Sequence, residues 1–149
     1  MNTVEFADLP GLVGQEVGVS EWVEIDQDRV NKFADATGDH QWIHVDVERA
    51  KREIGGTIVH GYLTLSLIPW LSAEVVKING VTRALNYGSD KVRFLNMVKV
   101  GKRVRLRQKV GSVEPRAGGL AVKNEFTIEI EGETKPACVA ETISVLFGG

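Results

Sequence analysis

An aspartate and a histidine five residues apart, Asp39 and His44, stand in the stretch Phe33-Ala-Asp-Ala-Thr-Gly-Asp-His-Gln-Trp-Ile-His44. A carboxylate and an imidazole at this spacing, in a segment patterned as neither helix nor strand, can hold one water molecule and take its proton. The pair makes the chain an enzyme candidate. Each residue also has a plainer use. Asp39 after Gly38 can cap backbone N–H groups in a turn, and His44 can be a loop histidine satisfied by the backbone. His40 lies between them and is read as solvent-facing. A metal site is not expected, because His40 and His44 are not on a predicted helix and no third ligand stands out.

The surrounding pattern says what must position this pair. Val17 to Ile25 alternates as a strand, with Glu21 on its apolar face. Asp26 is placed to cap a short helix from Gln27 to about Ala36, on which Val30, Phe33 and Ala34 share a face. Thr37-Gly38-Asp39 ends it, since Gly permits a left-handed turn. Asp46 caps a second helix, Val47 to about Glu53, stopped by Gly55-Gly56. From Gly61 to Val76, residues Tyr62, Leu63, Leu65, Leu67, Ile68, Trp70, Leu71, Val75 and Val76 surround most of the helix circumference, the mark of a buried helix. Pro69 removes one backbone donor there and predicts a kink.

After Gly80 the chain reads as β. Val81–Tyr87 and Lys91–Phe94 are expected as short strands. Lys102–Val110 sets Val104, Leu106 and Val110 against Arg103, Arg105, Arg107 and Lys109. Leu120–Glu131 sets Val122, Phe126, Ile128 and Ile130 against Lys123, Glu125, Thr127 and Glu129. Ala137–Phe147 is expected to turn Val139, Ile143, Val145 and Phe147 to one side. Clean alternation indicates an antiparallel sheet with one wet face. One strand, then helices, then strands is the α+β order, and the economical arrangement is a curved sheet around the helix at 61–76.

Bulk composition narrows the classes. The 149 residues suit a single domain, and 43% hydrophobic with 26% charged is ordinary for a globular chain. A formal net charge of -2 argues against a dedicated nucleic-acid binder. No apolar run approaches the roughly 20 residues of a membrane span. Met1 to Gly14 holds no Lys or Arg, so a signal peptide is not expected and a cytoplasmic location is. The lone Cys138 can form no internal disulfide and is read as a buried thiol.

Phe33, Thr37-Gly38-Asp39, Ile43-His44 and Ala50 together resemble the hydratase motif of the MaoC-like dehydratases, which include the (R)-specific enoyl-CoA hydratases. Ile58-Val59-His60-Gly61 before an apolar helix is similar to that family's next landmark, and the likeness runs from about Val17 to Phe147. It implies the hot-dog fold, dimers with the active site near the subunit interface, an enoyl-CoA or 3-hydroxyacyl-CoA substrate and no cofactor. It implies that Asp39 and His44 activate water, with Asp39 the main base. Gly61 N–H, at a helix start, would stabilise the thioester oxygen as it becomes enolate-like, and a Gly there would let the thioester approach closely.

Many members carry Asn-Pro where this chain has Gln41-Trp42, and some carry Ser where it has Pro69. Trp42, His60, Ser66 and Asn86 are the candidate substrate-binding residues. His60 can equally make a structural hydrogen bond. Trp42 and Trp70 can line an acyl tunnel or simply pack in the core. The row Arg103, Arg105, Arg107 and Lys109 reads first as a solvated face and second as an attractor of phosphates. Two rival functions stand beside the hydratase. One is a hot-dog thioesterase, which generally uses a carboxylate on the long helix, where Glu74 is the only acid. The other is a non-catalytic acyl-CoA-binding module.

Overall fold

The computed structural model describes residues 1–149. In chain order it contains β1 (Asn2–Glu5), a 3₁₀ segment (Phe6–Leu12), β2 (Glu16–Val19), β3 (Val23–Glu24), α1 (Gln27–Thr37), α2 (Trp42–Val45), α3 (Val47–Ile54), α4 (Gly61–Ser66), α5 (Ile68–Val75), β4 (Val76–Asn79), β5 (Val81–Phe94), β6 (Arg103–Arg116), β7 (Gly119–Ile130) and β8 (Cys138–Gly148). The main sheet runs β2-β6-β7-β8-β5, all antiparallel, with β3 also on β6. One face of α4 and α5 packs on it. Leu63, Leu67, Ile68 and Leu71 join Val104, Leu106, Phe126 and Ile128 in one core cluster. This is the α+β, sheet-around-helix arrangement that the alternation predicts and the hot-dog fold that the resemblance implies.

The helix ends follow their sequence signals. Asp26 accepts the Arg29 N–H at 2.9 Å, and Asp46 accepts the Arg49 N–H at 3.1 Å. Gly38 closes α1 at φ 86°, where a side chain would be strained.

Other elements differ from the sequence expectation. The stretch 17–25 is two strands. Ser20 N–H still donates to the Leu106 carbonyl at 2.8 Å, but its side-chain Oγ accepts the Leu106 N–H at 2.9 Å, and Glu21 turns to solvent instead of the apolar face. Residues 81–94 form one strand, not two; a register shift between Asp90 and Arg93 and a left-handed Lys91 (φ 51°) absorb the irregularity. In β8 the inward side chains are Cys138, Ala140, Thr142, Ser144 and Leu146, the opposite face from Val139, Ile143, Val145 and Phe147. Pairing with β7 decides this, because Cys138, Ala140 and Ser144 lie opposite the inward Ile128, Phe126 and Val122. The N-terminal β1, not expected at all, pairs in parallel with β4.

The helix at 61–76 breaks at Leu67, and Pro69 falls at the start of α5, where a missing N–H costs least. Its expected all-round burial is also corrected. Leu63, Leu67, Leu71 and Val75 face the sheet, while Tyr62 is 71% exposed and Trp70 39% exposed. Leu71 itself is fully buried. Leu71→Ala is expected to cost about 2–5 kcal/mol, read as a lowered denaturation midpoint with unchanged m-value.

Candidate active site

The site is assembled from four short segments. Gly38 swings the chain off α1, and the Asp39 carboxylate, exposed at this corner, accepts the Gln41 N–H at 3.3 Å. The turn use of Asp39 is therefore real, and it still leaves an oxygen of the carboxylate free of protein partners. His44 is not in a loop but on the one-turn helix α2, and it is buried. Its Nδ1 lies 2.7 Å from the Ile58 carbonyl. A carbonyl only accepts, so Nδ1 carries the proton and Nε2 of the neutral ring keeps its lone pair. Gln27 fixes this segment from α1. Its Nε2 donates to the His44 carbonyl at 2.8 Å, and its Oε1 accepts from Thr57 Oγ1 at 2.6 Å. Nothing in the sequence singled out Gln27, whose role exists only once α1 meets α2.

His60 binds the two halves together. Its ring stacks on His44 with centroids 3.8 Å apart, and the Phe33 ring lies tilted against it at a centroid distance of 4.9 Å. Its Nε2 donates to the Asp39 carbonyl at 3.1 Å, which leaves Nδ1 buried with no partner. The structural reading of His60 thus has a concrete form: it holds the Asp39 corner against the His44 ring. One ligand-type atom from each of Asp39, His44 and His60 lies within 4.8 Å of the others, so a third potential metal ligand does exist, contrary to the sequence reading. The same span suits one water bonded to both Asp39 and His44, since two bonds of about 2.8 Å cover it.

Burial pushes the His60 imidazole below its ordinary pKa, only partly offset by the Asp39 carbonyl. The folded state therefore favours the neutral ring. Its stabilising effect is complete above the unfolded value of about 6.5 and is lost as pH falls toward the depressed folded value. His60→Gln is expected to flatten the fall in Tm between pH 7 and pH 5 relative to the unsubstituted chain. Exposed His40 behaves oppositely: its bond to Asp35 raises its pKa and keeps it clear of the pair.

Gly61 opens α4, and its N–H donates to no protein acceptor. A Cβ there would lie 3.2 Å from the Phe94 ring, so the glycine admits Phe94, where the sequence reading expected it to admit a thioester. His44, Gly61, Thr64 and Phe94 line a cavity of about 300 Å³. A second cavity of about 680 Å³ lies between α5 and the β5–β8 side of the sheet and takes in Ser66 and Asn86. Trp42 and Trp70 line neither. Trp42 is half-buried beneath the Arg49 guanidinium at 4.1 Å, and Trp70 lies under Arg29 at 4.9 Å.

The basic row is a solvated face: Arg103 pairs with Glu131, Arg105 with Glu129, Arg107 with Glu16 and Glu129, and Lys109 with Glu125. Burial pushes the Cys138 thiol up to about 11, which suits an inert core thiol.

Comparisons with known proteins place the chain in a family. The MaoC like domain model matches residues 8–129. The chain is 51% identical over 146 residues to the 3-hydroxyacyl-thioester dehydratase Z of Mycobacterium tuberculosis (strain ATCC 25618 / H37Rv), covering 96% of this chain and 97% of that one. It is 46% identical to the Nodulation protein N of Rhizobium leguminosarum bv. viciae over 98% of this chain and 93% of that one. Among solved structures, the unliganded R-hydratase PhaJ1 of Pseudomonas aeruginosa superposes with a TM-score of 0.73 at 22% identity, covering 92% of this chain and 83% of that one. The chain belongs to the MaoC-like dehydratase family. It is an enzyme of the hydro-lyase class.

Proposed function

We propose that the chain is a single-domain (R)-specific enoyl-CoA hydratase, working in reverse as a 3-hydroxyacyl-CoA dehydratase. The observation that carries the proposal is the pairing of a free Asp39 carboxylate oxygen with a His44 ring whose tautomer is fixed by Ile58. A water between them donates one hydrogen bond to each and presents a lone pair to C3 of a trans-2-enoyl thioester. Asp39 takes a proton as the C3–O bond forms. The electron pair moves through C2 onto the thioester oxygen, where Gly61 N–H receives it. The Asp39–His44 pair then returns one proton to C2, so the net addition is one water. Reversal expels the 3-hydroxyl by the same groups. The chemistry requires no metal or cofactor, because base, acid and oxyanion donor all come from the chain.

His60 positions Asp39 in this scheme and touches no reacting atom. Ser66 and Asn86 contact the acyl group in the larger cavity. Trp42, away from both cavities, is left to hold α2 in place. Acyl-CoA thioesters are cytoplasmic metabolites, so the proposal carries a cytoplasmic location. The thioesterase reading is weaker, since Glu74 is exposed and lines neither cavity.

A homodimer belongs to the proposal. β5 is a sheet edge with its outer backbone groups unpaired, and Leu85, Tyr87 and Phe94 on it are exposed, Phe94 edge-on to the exposed Tyr62. An apolar edge of this length demands a cover. Sedimentation is expected to give twice the chain mass, with Leu85→Asp shifting it to the monomer.

The test is loss of the conjugated thioester absorbance when the protein is added to crotonyl-CoA or longer enoyl-CoAs, with chiral analysis giving the (R)-3-hydroxy product. Thiol release without that loss would favour the thioesterase, and tight binding without turnover the non-catalytic module.

A further inference from the structure

The larger cavity is apolar for most of its lining, yet a band of neutral polar side chains crosses its floor. Gln108 on β6, Asn124 on β7, Thr142 and Ser144 on β8 and Asn86 on β5 all face it, and Ser72 of α5 faces them from the other side. Strand parity makes the two amides anomalous. Gln108 occupies the inward series of Leu106 and Val110, and Asn124 that of Val122 and Phe126, where every neighbour in the series is a buried apolar residue. Gln108 is only 4% exposed. Its Oε1 accepts from Ser72 Oγ at 2.7 Å, while its Nε2 donates to nothing in the protein. The Asn124 Oδ1 is shut off from solvent and has no partner either.

Amide groups without a protein partner in an apolar cavity are costly: Asn124 Oδ1 is buried with none, and Gln108 Nε2 and Asn124 Nδ2 have only the cavity to pair with. Leucine or valine would fill either position without that cost. A plain alkyl chain entering the cavity would worsen the deficit by displacing water from the two amide nitrogens. An oxygen on the chain would relieve it by accepting from Gln108 Nε2 and Asn124 Nδ2, the amide groups that are not shut off from the cavity. The spacing suits one such group. Phe126 lies directly across from Gln108, and Asn124 is two residues from Phe126, so the amides are diagonal neighbours about 7–8 Å apart. The level also suits it. Ser66, where the cavity meets α4, is about 7.5 Å along the helix axis beyond Gly61. Gln108 lies deeper, against Ser72 of α5, so the oxygen falls several carbons beyond the reacting C2–C3 bond.

We propose that the preferred substrate is an oxygenated acyl thioester, with a hydroxyl on the chain held by Gln108 and Asn124. This rests on the hydratase reading for its chemistry and adds the class of acyl group. Ser72 is a positioning residue, since it acts by orienting the Gln108 amide.

Binding tests it without turnover. Dissociation constants are measured for dodecanoyl-CoA and for dodecanoyl-CoAs carrying one hydroxyl at successive carbons from C6 to C11. One position is expected to bind at least about tenfold tighter than the unsubstituted chain, because a site built to pair a hydroxyl rejects an analogue lacking it. Asn124→Leu and Gln108→Met are each expected to reduce that preference below about threefold while tightening the unsubstituted chain. Ser72→Ala, a milder change, is expected to weaken the preference partially and serves if either amide variant fails to fold. The proposal is overturned if no position outbinds the unsubstituted chain, or if the preference survives both amide variants. Equal weakening of every ligand also overturns it, since that would place the amides on the pantetheine arm or in the scaffold. Failure to hydrate any enoyl-CoA would sink the hydratase reading and leave a positional binding preference intact, so the two failures are distinguishable.

Discussion

Asp39→Asn and His44→Ala are each expected to lower kcat for enoyl-CoA hydration by about 10²–10⁴, the range a positioned acid–base group contributes. The asparagine variant is the cleaner of the two. Its amide oxygen can still accept the Gln41 N–H, so the corner after Gly38 keeps its shape while the base is lost. Its Tm should therefore stay within a few degrees. His44→Ala does more. It removes the ring that stacks on His60 and orphans the Ile58 carbonyl, at a stability cost of about 1–3 kcal/mol. Stopped assays with crotonyl-CoA, read beside thermal unfolding, separate the lost chemistry from the lost stability. Full activity in both variants would remove the pair from the mechanism.

The next largest effect is expected at Gly61. Gly61→Pro deletes the backbone N–H while keeping a residue suited to the first turn of a helix. A preorganised donor to a developing oxyanion is worth about 10²–10³ in kcat. Gly61→Ala keeps the N–H but pushes a methyl toward the Phe94 ring, 3.2 Å away. The two substitutions therefore divide the donor from the packing. Gly61→Ala combined with Phe94→Ala should recover most of the activity lost by Gly61→Ala alone. The proline variant should not be rescued by Phe94→Ala. Rescue of both would mean that Gly61 serves only to admit Phe94.

Much of the fold was legible because its signals are local. Asp26 and Asp46 cap the helices their spacing announced, and Gly38 ends α1 with the left-handed turn that glycine permits. The alternation in β6 and β7 put the right faces inward. What failed was decided by pairing across the chain. The face of β8 has apolar residues on both sides, so only its register with β7 could choose between them. The break at Ser20 exists because Leu106, far along the chain, offers its N–H there. The long helix looked buried all round because nothing in its sequence could tell a face packed on the sheet from one left exposed.

For the proposed site, the sequence by itself determined the candidate groups: Asp39 and His44 at a spacing that brings carboxylate and imidazole together, and Gly61 at a helix start. Residue type and short separation are enough for that, because a turn of a few residues has little freedom. Tertiary structure alone decided how those groups are held. Ile58 sets the His44 tautomer, His60 ties the Asp39 corner to the His44 ring, Gln27 anchors α2 to α1, and Phe94 fills the space over Gly61. Gln27 and Phe94 lie 17 and 33 residues from the groups they meet, His44 and Gly61, too far apart for any local pattern to show. The polar band across the larger cavity has the same origin: Gln108 and Asn124 become neighbours only when β6 and β7 pair.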